Sequence, residues 1–395
     1  MEPRSTSQTL IYNQNQNMPK NPQDIFFSKK ILKTILLILL IVNISVQNII
    51  LTHAINSSSS ICNSQTAYSI ESSNNRHLRK LRQYQNICRS KVSSSLMIFS
   101  PTPTSLESAI DLSLDLFNNL KDFSKYGIEP LIILEPSDIE GNNLNFRQLA
   151  TGKYNPNLVQ MFQNLLKLGL KTQDIGTIVL LPEANTPIWE WNGAKPSVFG
   201  DVFNQQAMAI RSVVPKAKLS IMLNSSSYEP DDTEWNNPIA RSFLEYTRNI
   251  KPEYIDSVGI QGFGWINKKN QSPTRKILDP RAYINQNLIT EVAIYFGTQK
   301  IWINTGSFVQ KYNKSEERQI ISNTELLTQT QQLAELTTTI KSKGYQVSVN
   351  YFLADKTNTS EGTNWSLLSP SRHVVWINVV SSLSQRGIKL SMFDR

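Results

Sequence analysis

From about Leu96 onward, short apolar runs alternate with longer amphipathic stretches. The runs are apolar on both faces, as expected for strands of a parallel sheet that is covered by helices. They occupy residues 96–100, 131–135, 177–183, 219–224, 255–263, 301–305 and 347–352. The amphipathic stretches include residues 158–170, 202–214, 282–296 and 324–343. This alternation predicts an α/β fold, a (β/α)8 TIM barrel spanning residues 95–395. An eighth strand is not evident: residues 66–70 could supply it, or the barrel could be irregular near its start.

The N-terminal quarter follows a different pattern. Residues 1–30 are rich in Asn, Gln, Ser and Pro, which predicts a disordered cytoplasmic tail. A lysine cluster then precedes an apolar segment, residues 31–54, whose length suits a transmembrane anchor. The alternative is a signal peptide cleaved near Ala54. Both interpretations place the barrel outside the cytoplasm, either anchored to the membrane or secreted, behind a basic stalk over residues 55–94.

The formal net charge of +9 belongs mostly to the N-terminal part of the chain. Residues 1–95 carry eleven Lys and Arg against three Asp and Glu, a charge of +8, so the remainder carries only +1. A nearly neutral barrel is not expected to bind nucleic acid.

Histidine and cysteine are too scarce in the barrel for several kinds of chemistry. His373 is the only His or Cys after residue 95, which argues against a zinc site or a Cys–His pair there, so no metal and no cofactor is predicted. His373 begins the final predicted helix, which favours a capping or surface role. Cys62 and Cys88 could form a disulfide on the oxidising side of a membrane, or remain two thiols in a mobile stalk.

Polar side chains recur where the predicted strands end, and aromatic side chains follow them. In a TIM barrel these carboxyl ends carry the chemistry. Carboxylates and amides can bind sugar hydroxyls, and aromatic faces can stack on sugar rings, so the pattern predicts an oligosaccharide or polysaccharide site. Trp302 lies within a strand and is expected in the core. The strand-end residues are Glu135, Glu183, Asn224, Gln261, Asn304 and Asn350, and the candidate aromatic contacts are Trp189, Trp191, Phe263, Trp265 and Trp365.

Four segments, in order, resemble glycoside hydrolase family 26, the β-mannanases and their relatives. Residues 152–154 read GKY, and Glu183 is followed by Asn185, Trp189 and Trp191 in a pattern similar to the family's H-E-M-N-G-x-W-x-x-W. Residues 256–265 are similar to its VDWVGIDGYNW segment, residues 300–307 to KPIMIAETGS, and residues 363–369 to a late loop around Trp365.

The resemblance implies that Glu183 is the general acid/base and that Asn185 fixes this acid or a substrate hydroxyl. It also locates a departure from the family, because Asn304 stands where the family has its nucleophilic Glu. An amide cannot form a glycosyl ester or supply negative charge to the transition state. The family's nearby Tyr is Phe263 here, and the Asp before it is Gln261.

Three functions fit this sequence. The first is an active glycosidase that uses another carboxylate, Glu135, Glu229 or Asp355, as its second catalytic group. The second is a barrel at the cell envelope that binds a polysaccharide with impaired or lost retaining chemistry, a pseudoenzyme. The third is a non-catalytic scaffold in an export or polymer-synthesis complex.

Overall fold

The computed structural model describes residues 34, 75–88, 95–185, 195–224, 244–263, 265–267, 275–277, 279–306, 310–311, 319–356 and 363–393. The chain divides into two compact units, residues 1–56 and residues 57–395. Thr34 is helical and is the one described residue of the first unit. Everything below concerns the second.

Eight parallel strands within the described residues close into a barrel, which confirms the predicted (β/α)8 architecture. Each strand pairs with the next along the chain, and β8 pairs with both β7 and β1. The strands are β1 (Ser95–Pro101), β2 (Glu129–Glu135), β3 (Thr177–Leu180), β4 (Lys218–Asn224), β5 (Ser257–Gln261), β6 (Lys300–Gly306), β7 (Gln346–Phe352) and β8 (Lys389–Phe393).

Helices surround the barrel. Predicted helix positions are confirmed with ends shifted by a few residues, except that residues 282–296 are divided between two helices. The helices are α1 (Arg76–Cys88), α2 (Leu106–Lys125), α3 (Phe146–Ala150), α4 (Asn155–Lys167), α5 (Pro196–Val213), α6 (Pro280–Tyr283), α7 (Gln286–Tyr295), α8 (Asn323–Ser342) and α9 (His373–Gln385). Short 3₁₀ turns cover Thr172–Ile175, Pro252–Tyr254 and Pro370–Arg372.

Local chemistry explains where the two longest helices start. Ser105 accepts a hydrogen bond from the backbone of Ser108, and the Ser108 side chain accepts one in return, forming a capping box at the start of α2. Ser322 and Glu325 form the same arrangement at the start of α8. Both pairs satisfy backbone donors that a helix start would otherwise leave without acceptors.

Short antiparallel strands lie in the connections that follow β5, β6 and β7. Trp265–Asn267 pairs with Arg275–Ile277. Gln310–Lys311 pairs with both Gln319–Ile320 and Thr363–Asn364, and the latter also pairs with Asp355–Lys356. These strands extend the structure beyond the carboxyl ends of three neighbouring barrel strands.

The eighth barrel strand is β8, the last strand along the chain, which corrects the suggestion that residues 66–70 supply it. Residues 66–70 lie outside the described part of the chain. In β8, Ser391 is a register partner of both Asn350 in β7 and Ser95 in β1. The strand was missed because it has five residues and alternates polar with apolar side chains, unlike the continuous apolar runs.

The predicted basic stalk is also partly wrong. Residues 76–88 form α1, whose buried face includes Leu78, Leu81, Tyr84 and Cys88. Arg76, Arg79 and Arg82 are exposed on the other face. The basic residues are therefore the solvated side of an amphipathic helix that belongs to the barrel unit.

α1 packs beside the place where the barrel closes. Tyr84 contacts Trp376 of α9 edge to face, with ring centroids 4.8 Å apart, and its backbone carbonyl accepts a hydrogen bond from Trp376 Nε1 at 3.1 Å. Leu81 borders a small cavity together with Leu96 of β1 and Met392 of β8. α1 thus covers the seam between the first and last strands.

Apart from Thr34, the apolar segment 31–54 lies outside the described residues. Within the described ranges, none of the helices has the length and apolar character needed to cross a bilayer. The anchor or signal peptide therefore stays a prediction. Cys88 is buried, and because Cys62 is not among the described residues, their pairing also stays a prediction.

Candidate functional site

Polar side chains form a continuous row inside the barrel. Asn224, Gln261, Asn304, Asn350 and Ser391 are register partners on the five consecutive strands from β4 to β8. Register partners on neighbouring strands point to the same side of a sheet, here the interior. Because the strands of such a barrel are tilted, the members of the row differ in height along the barrel axis. Ser391 lies nearest the N-terminal mouth, and Asn224 lies at the carboxyl end of its strand.

Asn304 and Gln261 are joined within this row. Asn304 Nδ2 donates to Gln261 Oε1 at 2.5 Å and to the Met222 thioether sulfur at 3.6 Å. Asn304 is 2% exposed and Gln261 5%. The resemblance places a catalytic carboxylate at this point, and the structure has two neutral amides bonded to each other.

Glu183 lies just beyond the end of β3, in a backbone conformation unusual for its residue type. Its φ is +58°, and that of Leu181 is +51°. Left-handed conformations cost non-glycine residues free energy and cluster at functional sites. The Glu183 amide donates to the Met222 carbonyl of β4 at 2.9 Å, so the half-buried carboxylate is held at the same end of the barrel as Asn224.

Asn185 is tied to the main chain of Asn224. Its Nδ2 donates to the Asn224 carbonyl at 2.8 Å, and its Oδ1 accepts from the Asn224 amide at 2.8 Å. This buried pair of bonds fixes the segment after β3 to the end of β4. Asn185 therefore positions the backbone around Glu183, and the sequence pattern alone did not indicate Asn224 as its partner.

Two predicted sugar-binding aromatics pack against each other. Phe263, Phe352 and Trp365 form a three-ring cluster with centroid separations between 5.2 and 5.8 Å. Trp365 is buried, and Phe263 is half-buried. Gly306 at the end of β6 lies under the cluster, where a Cβ atom would come within 3.2 Å of the Trp365 ring. The third ring, Phe352, belongs to the predicted β7 run.

Other predicted positions are distributed more widely. Trp189, Trp191 and Glu229 lie outside the described residues, and for Trp265 only the backbone is described. Asn350 is 1% exposed and borders a cavity at the N-terminal mouth, so its part in a sugar site at the opposite end stays a prediction. Of the remaining candidate second carboxylates, Glu135 is buried at the end of β2, whereas Asp355 is exposed.

Trp302 confirms its expected place in the core. Its Nε1 donates to Ser220 Oγ at 2.7 Å, and its ring lies against Gly259 on β5. Met222, the sulfur neighbour of Asn304, was missed as a site residue. Counting two positions back from Asn224 along β4 would have placed it on the same interior face.

His373 is the first residue of α9 but does not cap it, because no side chain caps this helix start; its half-buried ring places Nε2 3.0 Å from the Leu368 carbonyl. Among the described residues no cluster of three His, Cys, Asp or Glu side chains could hold a metal ion.

The barrel is similar to solved glycoside hydrolases. The β-glucosidase from Thermotoga maritima in complex with glucoimidazole superposes with a TM-score of 0.51 at 12% identity, over 79% of this chain and 87% of that chain. A crystal structure of another β-glycosidase gives 0.50 at 12% identity, over 78% and 86% respectively. At this identity the likeness shows the fold alone, a (β/α)8 barrel.

Comparison with protein-family models gives no match, and neither does comparison with curated protein sequences. The narrower assignment to family 26 therefore rests on the sequence motifs only.

Proposed function

We propose that this protein binds a polysaccharide or oligosaccharide at the carboxyl ends of its barrel strands, at the cell envelope, and has lost most or all retaining glycosidase chemistry. One observation carries the proposal: the buried amide pair Asn304–Gln261 stands where the family 26 resemblance places a nucleophile. Retaining hydrolysis needs a carboxylate there to form the glycosyl ester. Hydrogen bonding to a sugar needs only amides, hydroxyls and carboxylates.

The acid/base assignment of Glu183 has separate support. Its left-handed backbone and the Asn185 bonds beside it hold a half-buried carboxyl group at the active end of the barrel. In this proposal Glu183 accepts hydrogen bonds from sugar hydroxyls, and Trp189, Trp191 and Trp265 provide stacking surfaces. The same ligand class suits the similar barrel of the Thermotoga maritima β-glucosidase, whose structures include complexes with isofagomine lactam and glucoimidazole.

A second candidate function is an active glycosidase with Glu135 as the second carboxylate. The observation in its favour is that Glu135 is buried at the end of β2, in the interior phase of that strand. A scaffold role is supported by the packing of Phe263, Phe352 and Trp365 against one another. The aromatic surface buried in these contacts cannot stack on a sugar.

The test applies a panel of plant, fungal and bacterial envelope glycans to the full-length protein, measuring both binding and release of reducing ends. We expect binding without turnover, and at least tenfold weaker binding by Glu183→Gln. Glu291→Gln, which neutralises an exposed carboxylate on α7, is the matched control and should bind normally. Absence of binding to every glycan would favour the scaffold.

The chemistry is tested by restoring the missing groups. The double variant Asn304→Glu with Phe263→Tyr should hydrolyse the bound glycan with retention of anomeric configuration, since the tyrosine hydroxyl can hold the new carboxylate. Robust turnover by the unmodified protein that Glu135→Gln abolishes would instead establish the second candidate.

A further inference from the structure

The N-terminal mouth of the barrel contains a cavity, at the opposite end from the candidate sugar site. Its volume is about 550 Å³, within the range of roughly 300–1,000 Å³ typical of small-molecule sites. Interior positions of TIM barrels are usually filled by branched apolar side chains. Here several positions that line the cavity, beside Leu131 and Trp302, carry small hydroxyl side chains, which leave space open: Ser95, Thr177, Ser257, Ser348 and Ser391.

The rim of this cavity is strongly basic. Four lysines and one glutamate line it, a formal charge of +3. Lys218 pairs with Glu129 at 3.1 Å, and Lys341 donates to the Arg386 carbonyl at 2.7 Å. Lys300 and Lys389 have no ion-pair partner among the described residues. Both are exposed first residues of their strands.

A buried donor lies at the inner end of the cavity. Asn350 lines it and is 1% exposed, yet within the described structure its Nδ2 has no acceptor. A buried polar group left without a partner costs about 1–3 kcal/mol, and such a group often marks a bound water, ion or ligand. An acceptor atom entering from the mouth would satisfy it.

We propose that this cavity is a binding site for a small hydroxylated anion, a sugar phosphate or a sugar acid. Lys300 and Lys389 pair with the anionic group at the rim. The serine hydroxyls bind the ligand's hydroxyls, and Asn350 Nδ2 donates to its innermost oxygen. This site is separate from the one under Proposed function and does not depend on it.

The test is calorimetric titration of the full-length protein with glucose 6-phosphate, glucuronate, inorganic phosphate and glucose. We expect binding of at least one of the first two, with inorganic phosphate and glucose at least tenfold weaker. Lys300→Gln with Lys389→Gln should weaken binding at least tenfold. Lys167→Gln, which removes one exposed lysine charge at the end of α4, should leave it unchanged.

Asn350→Ala should weaken binding about fivefold if it folds, and the lysine variants decide the question if it does not. The proposal is overturned if neither organic anion binds at millimolar concentration. It is equally overturned if the double lysine variant binds as tightly as the native protein, or if inorganic phosphate binds as tightly as both organic anions.

Discussion

At the scale of single residues, the most informative feature is Asn304. It stands at the position where the resembled family has its nucleophile, but it is uncharged and buried. A carboxylate at position 304 would lose nearly all of its hydration, because Asn304 is 2% exposed and its Oδ1 has no donor among the described residues. Desolvation disfavours the charged form of an acid and raises its pKa. The surroundings of Asn304 are therefore suited to an amide as they stand.

This leads to a prediction for Asn304→Asp, which changes the side chain with almost no change in shape. The unfolded pKa of the new carboxyl is about 3.9, and burial should raise the folded one. The variant should then match the native protein below pH 4 and lose roughly 2–4 kcal/mol of unfolding free energy as the pH rises to 7. Urea unfolding at both pH values measures this. Asn287→Asp, on the exposed side of α7, should show no such loss.

His77 gives a second prediction about pH. Burial, with the neighbouring Arg76 charge, lowers the pKa of His77 to about 4. The unfolded state therefore takes up a proton between pH 6.5 and 4 while the folded state does not. Stability should fall as the pH falls through that interval, by at most about 1.4 kcal/mol per pH unit. His77→Phe should remove this part of the pH dependence in thermal unfolding measured from pH 4 to 7; an unchanged profile would contradict the assignment.

At the scale of elements, α1 is attached to the barrel by a few specific contacts. Tyr84 OH accepts a hydrogen bond from the Leu367 amide at 3.1 Å and lies 3.3 Å from Ser366 Oγ. Tyr84→Phe removes the acceptor and leaves a buried N–H without a partner, at a cost of about 1–3 kcal/mol. Denaturant unfolding should show that loss, while Tyr254→Phe, whose ring lies under Arg211, should change stability by less than about 0.5 kcal/mol.

The contact between β5 and β6 depends on one glycine. A Cβ on Gly259 would come within 2.3 Å of the Trp302 ring, so Gly259→Ala should cost about 1–3 kcal/mol or more. Adding Trp302→Leu makes room for the methyl group but leaves Ser220 without its indole donor. In a double-mutant cycle the two losses should be clearly less than additive. Additive losses would mean that the strain at Gly259 arises elsewhere.

At the scale of the whole molecule, seven strands could be predicted because each is buried on both faces and stands out as an apolar run. The position of a residue along the barrel axis could not be predicted from the sequence. Asn304 and Asn350 both lie two positions before the end of their strands, yet Asn350 borders the opposite mouth. Because the strands are tilted, register partners on neighbouring strands lie at different heights along the barrel axis. The spacing of residues along the sequence gives no information about this difference.

The sequence did contain the signal for α1, but charge obscured it. Leu78, Leu81, Tyr84 and Cys88 recur at helical spacing, and they are buried. Net charge describes a segment as a whole, whereas packing depends on which face carries the charges. The paired amide at Asn304, by contrast, follows directly from reading residue identities at the strand end, although its hydrogen-bond partner required the fold.

The seam covered by α1 has a mechanical consequence. Among the described residues two register pairs join β1 to β8, whereas seven join β1 to β2, so the closure is the shorter of the two junctions that β1 makes. Tension applied at Asn75 from its N-terminal side reaches α1 before it reaches any of the described strands. The contacts of α1 would bear that load in order, from the Asn75–Asn119 hydrogen bond to the Tyr84–Trp376 contact, whose rupture would uncover the short junction. Under pulling, α1 should therefore detach first, and β1 should separate from β8 next, before the longer strand pairs separate.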